Sequence, residues 1–107
     1  MTKQLKQEID LVVSQLVANY KPEKVILFGS AARGDATEES DLDFLVIKAG
    51  VEQLQSHERY YQVSKIISHR VATDVLVYTP QEIKKRLYLE DPFIRQIWEE
   101  GMVVYGA

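Results

Sequence analysis

Apolar residues recur at Leu5, Ile9, Val12, Val13, Leu16 and Val17, a spacing of three to four that predicts one amphipathic helix from about Thr2 to Ala18. Asn19 and Pro22 close it. The period then changes. Lys24 to Phe28 carries an unbroken apolar run and predicts a buried strand ending at Gly29. Ser30 stands where it would cap a short helix through Ala31, Ala32 and Arg33, with Gly34 as its stop. Asp35 to Ser40 is a polar loop, and Leu42 to Ile47 is a second strand.

Residues from about Val51 to Ser68 suit a helix, although Leu54, Tyr60, Tyr61, Val63, Ile66 and Ile67 form a less regular stripe. Thr73 to Tyr78 is a third strand. Thr79-Pro80-Gln81-Glu82 then opens a helix with a capping threonine, proline at the first position and glutamate at the third. Asp91-Pro92-Phe93 repeats the device and starts a helix through Ile94, Ile97 and Trp98, all three expected in the core, that stops at Gly101. Met102 to Tyr105 is expected as a short edge strand. Such alternation fits a small α/β (α+β) fold, a mixed sheet covered by helices, in one domain over residues 1–107.

Composition narrows the partners. A net charge of −3 argues against nonspecific nucleic-acid binding, which wants a strongly basic face, but not against a nucleotide carried with metal. Cysteine is absent, so disulfides and thiolate metal sites are excluded. No apolar run reaches the roughly 18 residues that span a bilayer, and the polar start is unlike a signal peptide; a cytoplasmic location without membrane contact is expected.

The chemistry lies in acids on strands. Asp41 and Asp43 are two apart and project from one face. Their carboxylates could share a divalent ion such as magnesium, which takes oxygen ligands and leaves several places to water and phosphate. Asp74 interrupts the apolar third strand, where an unpaired carboxylate would be costly if buried. Were the second and third strands neighbours, Asp74 would complete the site and could take a proton from an attacking hydroxyl. Pairing with Arg70 or Lys65 is the structural alternative. Asp35 to Glu39 is no calcium loop, because the glycine at the sharp turn is missing.

Gly29-Ser30 adds an anion site of turn amides and a hydroxyl, without the lysine and glycine spacing of a Walker loop. Arg33, one helical turn beyond, could contact phosphate or tie the loop to Asp35 or Asp41. A phosphate-gripping turn beside clustered carboxylates is what nucleotidyl transfer from a nucleoside triphosphate requires.

Gly29-Ser30, Arg33-Gly34, Asp41-Leu42-Asp43 and the later Asp74 together resemble a minimal nucleotidyltransferase of the DNA polymerase β-like superfamily, over essentially the whole chain. Gly29-Ser30-Ala31-Ala32-Arg33-Gly34 with Ser40-Asp41 is similar to its small prokaryotic branch. Members of that branch pair with a HEPN-type ribonuclease toxin and act as antitoxin, moving AMP from ATP onto a toxin tyrosine. The resemblance implies that Asp41, Asp43 and Asp74 are catalytic and hold two Mg2+ ions. It implies that Gly29 and Ser30 bind the triphosphate, with Arg33 as a further candidate. Larger relatives carry an added domain for base or acceptor, for which 107 residues leave no room, so the partner is expected to supply selection.

Two rival readings belong to other classes: an antitoxin that neutralises its partner by binding alone, and a nucleotidyltransferase acting on a small molecule such as an aminoglycoside. Tyr88 to Phe93 with Ile94, Ile97 and Trp98 supplies interface-type residues for the first. His57 and His69 lack a histidine at metal spacing and are expected on the surface. Lys84-Lys85-Arg86 reads as a solvated helix face, and Tyr60-Tyr61 as either core or interface.

Overall fold

A computed structural model describes residues 2–37, 40–68 and 71–106. The elements run α1 (Lys3–Asn19), β1 (Lys24–Phe28), α2 (Ser30–Arg33), β2 (Leu42–Ile47), α3 (Ser56–Ser64), β3 (Thr73–Tyr78), α4 (Pro80–Tyr88), α5 (Pro92–Glu100) and β4 (Met102–Tyr105). His69, expected on the surface, and Arg70, an alternative partner for Asp74, lie outside the described residues, as do Glu38 and Glu39 of the polar loop.

The strands form one mixed sheet in the order β3-β2-β1-β4. β1 is antiparallel to both β2 and β4, whereas β2 and β3 are parallel. A parallel pair cannot be joined by a hairpin, and the connection carrying α3 makes the crossover. Alternation along each strand divides the core in two. Val25, Leu27, Leu42, Phe44, Val46, Val75 and Val77 face α1 and α3, meeting Leu5, Ile9, Val12, Leu16 and Val63. Ile26, Leu45 and Ile47 face the other way and pack on Ile83 of α4 and on Ile94 and Ile97 of α5.

α3 is shorter than its apolar stripe suggests, and a turn held by Arg59 takes the place of its first residues. This buried side chain donates through Nε to the carbonyls of Val51 and Leu54 at 3.1 and 3.0 Å and through Nη1 to that of Val77 at 3.0 Å. Its two Nη atoms also bind both oxygens of Glu82, at 2.7 and 3.1 Å. The Val51 carbonyl accepts from the Leu54 amide as well, at 3.0 Å, so residues 51–54 close a turn that the guanidinium pins in place. The helix begins after Gln55, whose amide donates to Glu58. Arg59 thereby joins the crossover, the end of β3 and the start of α4.

The two capped starts form as expected. Thr79 accepts from the Glu82 amide at 3.2 Å while Glu82 accepts from the Thr79 amide at 2.8 Å. Asp91 Oδ1 accepts from the amides of Phe93 and Ile94. Trp98 departs from expectation. It is 40 % exposed, with Lys24 Nζ 5.2 Å from its ring centroid, whereas Ile94 and Ile97 are buried. Positions 94 and 97 share the inner stripe of α5, and position 98 has turned past it. Tyr60 and Tyr61 are also exposed.

Candidate active site

β1 ends where β2 and β3 begin, so one end of the sheet collects the C-terminus of one strand and the N-termini of two others. Gly29 turns the chain out of β1 at φ +76° and ψ −155°, a conformation closed to residues with a side chain. A Cβ at this position would stand 2.5 Å from Asp43 Oδ2, so the missing side chain is what lets backbone and carboxylate approach.

Ser30 does not cap α2, contrary to the sequence expectation. It is the first residue of the helix, and Gly29 occupies the capping position without a side chain to offer. The Ser30 hydroxyl makes no hydrogen bond among the described residues and stays available at the turn. Gly34 ends the four-residue helix in the left-handed region at φ +85°, its amide returning to the Ser30 carbonyl at 3.1 Å.

Asp43 and Asp74 are register partners across the parallel β2–β3 pair. Alternation puts both on the α4/α5 side of the sheet, and Asp41, two residues before Asp43, has the same parity. Asp74 is exposed, because β3 is an edge strand and the residue lies near its start; the burial anticipated from its apolar neighbours does not occur. It has no ion-pair partner among the described residues, and Lys65, one alternative, stands over the Tyr61 ring instead.

Asp43 is the partly buried member. Burial first, then the charges of Asp74 and Asp41, push its carboxyl above the ordinary 3.8, with Arg33 pulling it back down. The charges of Asp74, Asp41 and Arg33 all reach this carboxyl. Among the described residues, no three acidic or imidazole side chains close tightly enough to cage a metal unaided. The all-oxygen donors nevertheless suit a hard cation that keeps other ligands from substrate and water.

Arg33 divides its interactions. Its Nε lies 3.6 Å from Asp35 in an exposed ion pair, and its side chain also lines a cavity of about 210 Å³ with Gly29, Phe93, Gln96 and Glu100. A second cavity, about 650 Å³, opens beside Asp43 and Asp74 and includes His57 and Tyr60 of α3. His57 is exposed, as expected, yet it belongs to this wall. Gln96 and Glu100 carried no mark in the sequence beyond their spacing of four on a helix.

Residues 6–105 match the family described as "Nucleotidyltransferase domain". The chain is similar to "Putative protein adenylyltransferase MJ0141" of Methanocaldococcus jannaschii, 32 % identical over 103 residues that cover 95 % of this chain and 93 % of that protein. "Putative protein adenylyltransferase MJ0604" of the same organism is 31 % identical over 103 residues, covering 96 % of each. A solved structure titled as a putative nucleotidyltransferase from Sulfolobus solfataricus shares the fold. Its TM-score is 0.65 at 24 % identity, covering 99 % of this chain and 89 % of that one.

Proposed function

Because the chain belongs to the nucleotidyltransferase domain family, we propose that it transfers AMP from magnesium-bound ATP to a tyrosine hydroxyl of a HEPN-type ribonuclease toxin, and so serves as that toxin's antitoxin. The observation that carries the reading is the registered pair Asp43–Asp74 beside a glycine turn that only a residue without Cβ can make. The similarity to the Methanocaldococcus putative protein adenylyltransferases supports adenylyl transfer to protein in particular.

Gly29, Ser30 and Arg33 hold the β- and γ-phosphates, leaving the α-phosphorus over the carboxylates. The acceptor hydroxyl enters through the larger cavity, where Asp74 is open to it. Its oxygen forms a bond to the α-phosphorus as the bond from that phosphorus to the bridging oxygen breaks. Pyrophosphate leaves, and Asp74 takes the hydroxyl proton. Asp41, Asp43 and Asp74 would hold two Mg2+ ions, whose chemistry at this place is to offset charge on the attacking and leaving oxygens. Burial first, then the charges of Asp74 and Asp41, raise the Asp43 carboxyl, and a bound cation would relieve the like-charge part. Catalysis here is mostly positioning and electrostatics.

The test is to incubate a HEPN-type toxin with ATP, magnesium and either native or Asp74→Asn protein, then weigh the toxin by mass spectrometry. The expected result is an added AMP on a tyrosine with native protein and none with the variant. Tyr88 and Leu89, 85 % and 61 % exposed, favour a second reading in which the chain silences its partner by covering it. A toxin inactivated with no gain in mass would select that reading and discard transfer.

A further inference from the structure

The cavity beside Asp74, at about 650 Å³, is far larger than an attacking hydroxyl needs. It falls within the roughly 300–1,000 Å³ of sites that hold a whole small ligand. Its walls are mostly apolar and aromatic. The Phe28–Phe93 pair, edge to face with ring centroids 5.9 Å apart, lines both cavities and so separates this space from the phosphate turn. Resting on the nucleotidyl-transfer reading, we propose that the larger cavity seats the ring of an acceptor phenol between Asp74 and Leu76, that Tyr60 of α3 closes on that ring, and that this seat selects tyrosine over serine or threonine.

The row along β3 supplies the measure. Asp74, Leu76 and Tyr78 alternate onto one face, and all three line the cavity. Strand rise spaces neighbours in this row by about 7 Å. That is close to the reach of a tyrosine side chain from its backbone to its hydroxyl. A ring laid between Asp74 and Leu76 therefore brings its oxygen to the carboxylate while the acceptor backbone stays out toward Tyr78. Serine carries its hydroxyl two bonds from the backbone. It would have to draw that backbone onto Asp74, and it would leave Leu76 and Tyr60 uncovered.

Tyr60 is placed by its neighbours. Buried Arg59 binds the Val77 carbonyl and Glu82, which holds α3 against the end of β3. Ser56, His57 and Tyr60, three and four apart, then present one helix face to the cavity. β3 is an edge strand, so this face reaches the cavity past the outer edge of the sheet. Tyr61, next in sequence, does not line it and has Lys65 Nζ 4.3 Å from its ring centroid instead. Tyr60 is 46 % exposed, which leaves its ring open to a second ring.

Rates of pyrophosphate release with magnesium-ATP and either N-acetyltyrosine amide or N-acetylserine amide test this on native, Tyr60→Ala and Tyr60→Phe protein. A HEPN-type toxin, weighed by mass spectrometry, runs in parallel. Native protein is expected to favour the tyrosine compound by about ten- to a hundred-fold in kcat/KM, the range for burying one aromatic ring. Tyr60→Ala should raise KM for that compound about two- to ten-fold, the worth of one aromatic contact, and Tyr60→Phe should restore it. Melting temperature should hold in both variants, because the side chain is exposed. KM for ATP should hold as well, because Tyr60 lies outside the phosphate cavity. Equal rates with the two amides, or a KM for the tyrosine compound unmoved by Tyr60→Ala, overturn the ring seat alone. Toxin modified while neither amide reacts overturns it too. Tyr60→Phe as impaired as Tyr60→Ala also does so, since the hydroxyl and not the ring would then be acting. A KM for ATP that rises in step counts against it in the same way. Native protein that modifies neither amide nor toxin removes the nucleotidyl-transfer reading as well.

Discussion

Replacing Gly29 by alanine should damage stability and chemistry together, by separable routes. The native φ of +76° with ψ −155° is a conformation whose cost for a residue with a side chain is about 1–3 kcal/mol. The added methyl would also lie 2.5 Å from Asp43 Oδ2. That oxygen ends a short side chain, so Asp43 can swing aside at the cost of an off-rotamer torsion, about 0.5–1.5 kcal/mol. Together these predict a loss of about 1.5–4.5 kcal/mol, a fall in melting temperature of about 6 °C or more. Thermal and urea unfolding followed by circular dichroism would measure it. A double-mutant cycle divides the two costs. With Asp43→Ala, the nearest remaining Asp43 atom is Cβ at 3.7 Å from the new methyl, an ordinary contact. The cycle should therefore return a coupling of about 0.5–1.5 kcal/mol, while the backbone cost persists in both backgrounds. Transfer activity should vanish in Gly29→Ala at temperatures where it is folded, because Asp43 has been displaced. A variant melting within about 0.5 kcal/mol of native protein would refute the turn geometry. A coupling near zero would refute the contact.

Asp43→Asn should melt higher than native protein without ligand. The folded carboxyl lies above 3.8, so its ionised form is disfavoured by folding at neutral pH, and that penalty fades as pH falls toward the folded value. Removing a like-charge cross-strand pair is worth roughly 0.2–1 kcal/mol, or about 1–8 °C, and a variant melting below native protein would contradict it. Glu82→Gln should cost about 1–3 kcal/mol. That is less than the 3–5 of a fully buried broken pair, because Glu82 is 38 % exposed while Arg59 is buried. Arg59 holds the Glu82 carboxyl below its ordinary 4.5. The ion pair's stabilisation is therefore complete above about that pH and is lost as pH falls through the lower folded value, so the gap between native and Glu82→Gln melting temperatures should close on acidification. Thr79→Val removes the buried cap on the Glu82 amide and should cost about 1 kcal/mol in urea unfolding, with no change in nucleotide affinity.

Helix and strand periods, caps and glycine stops are local properties, and they determined the elements of this chain. The Thr79 and Asp91 starts, the Gly34 stop and the four strands all follow from neighbours in sequence. Equal parity of Asp41 and Asp43 is local as well, since a strand alternates by covalent geometry. Four features depended on the tertiary structure. Register across β2 and β3, which sets Asp74 beside Asp43, is decided by how two apolar faces fill the same core. The exposure of Asp74 follows from β3 lying at the edge, a matter of strand order. Arg59 holds the turn before α3 through acceptors from Val51, Leu54 and Val77, brought together only by the crossover. Phe93, Gln96 and Glu100 join Gly29 and Arg33 because α5 packs over β1 through Ile94 and Ile97. Contacts between residues distant in sequence carry no local periodic signal, because burial of the whole core selects them.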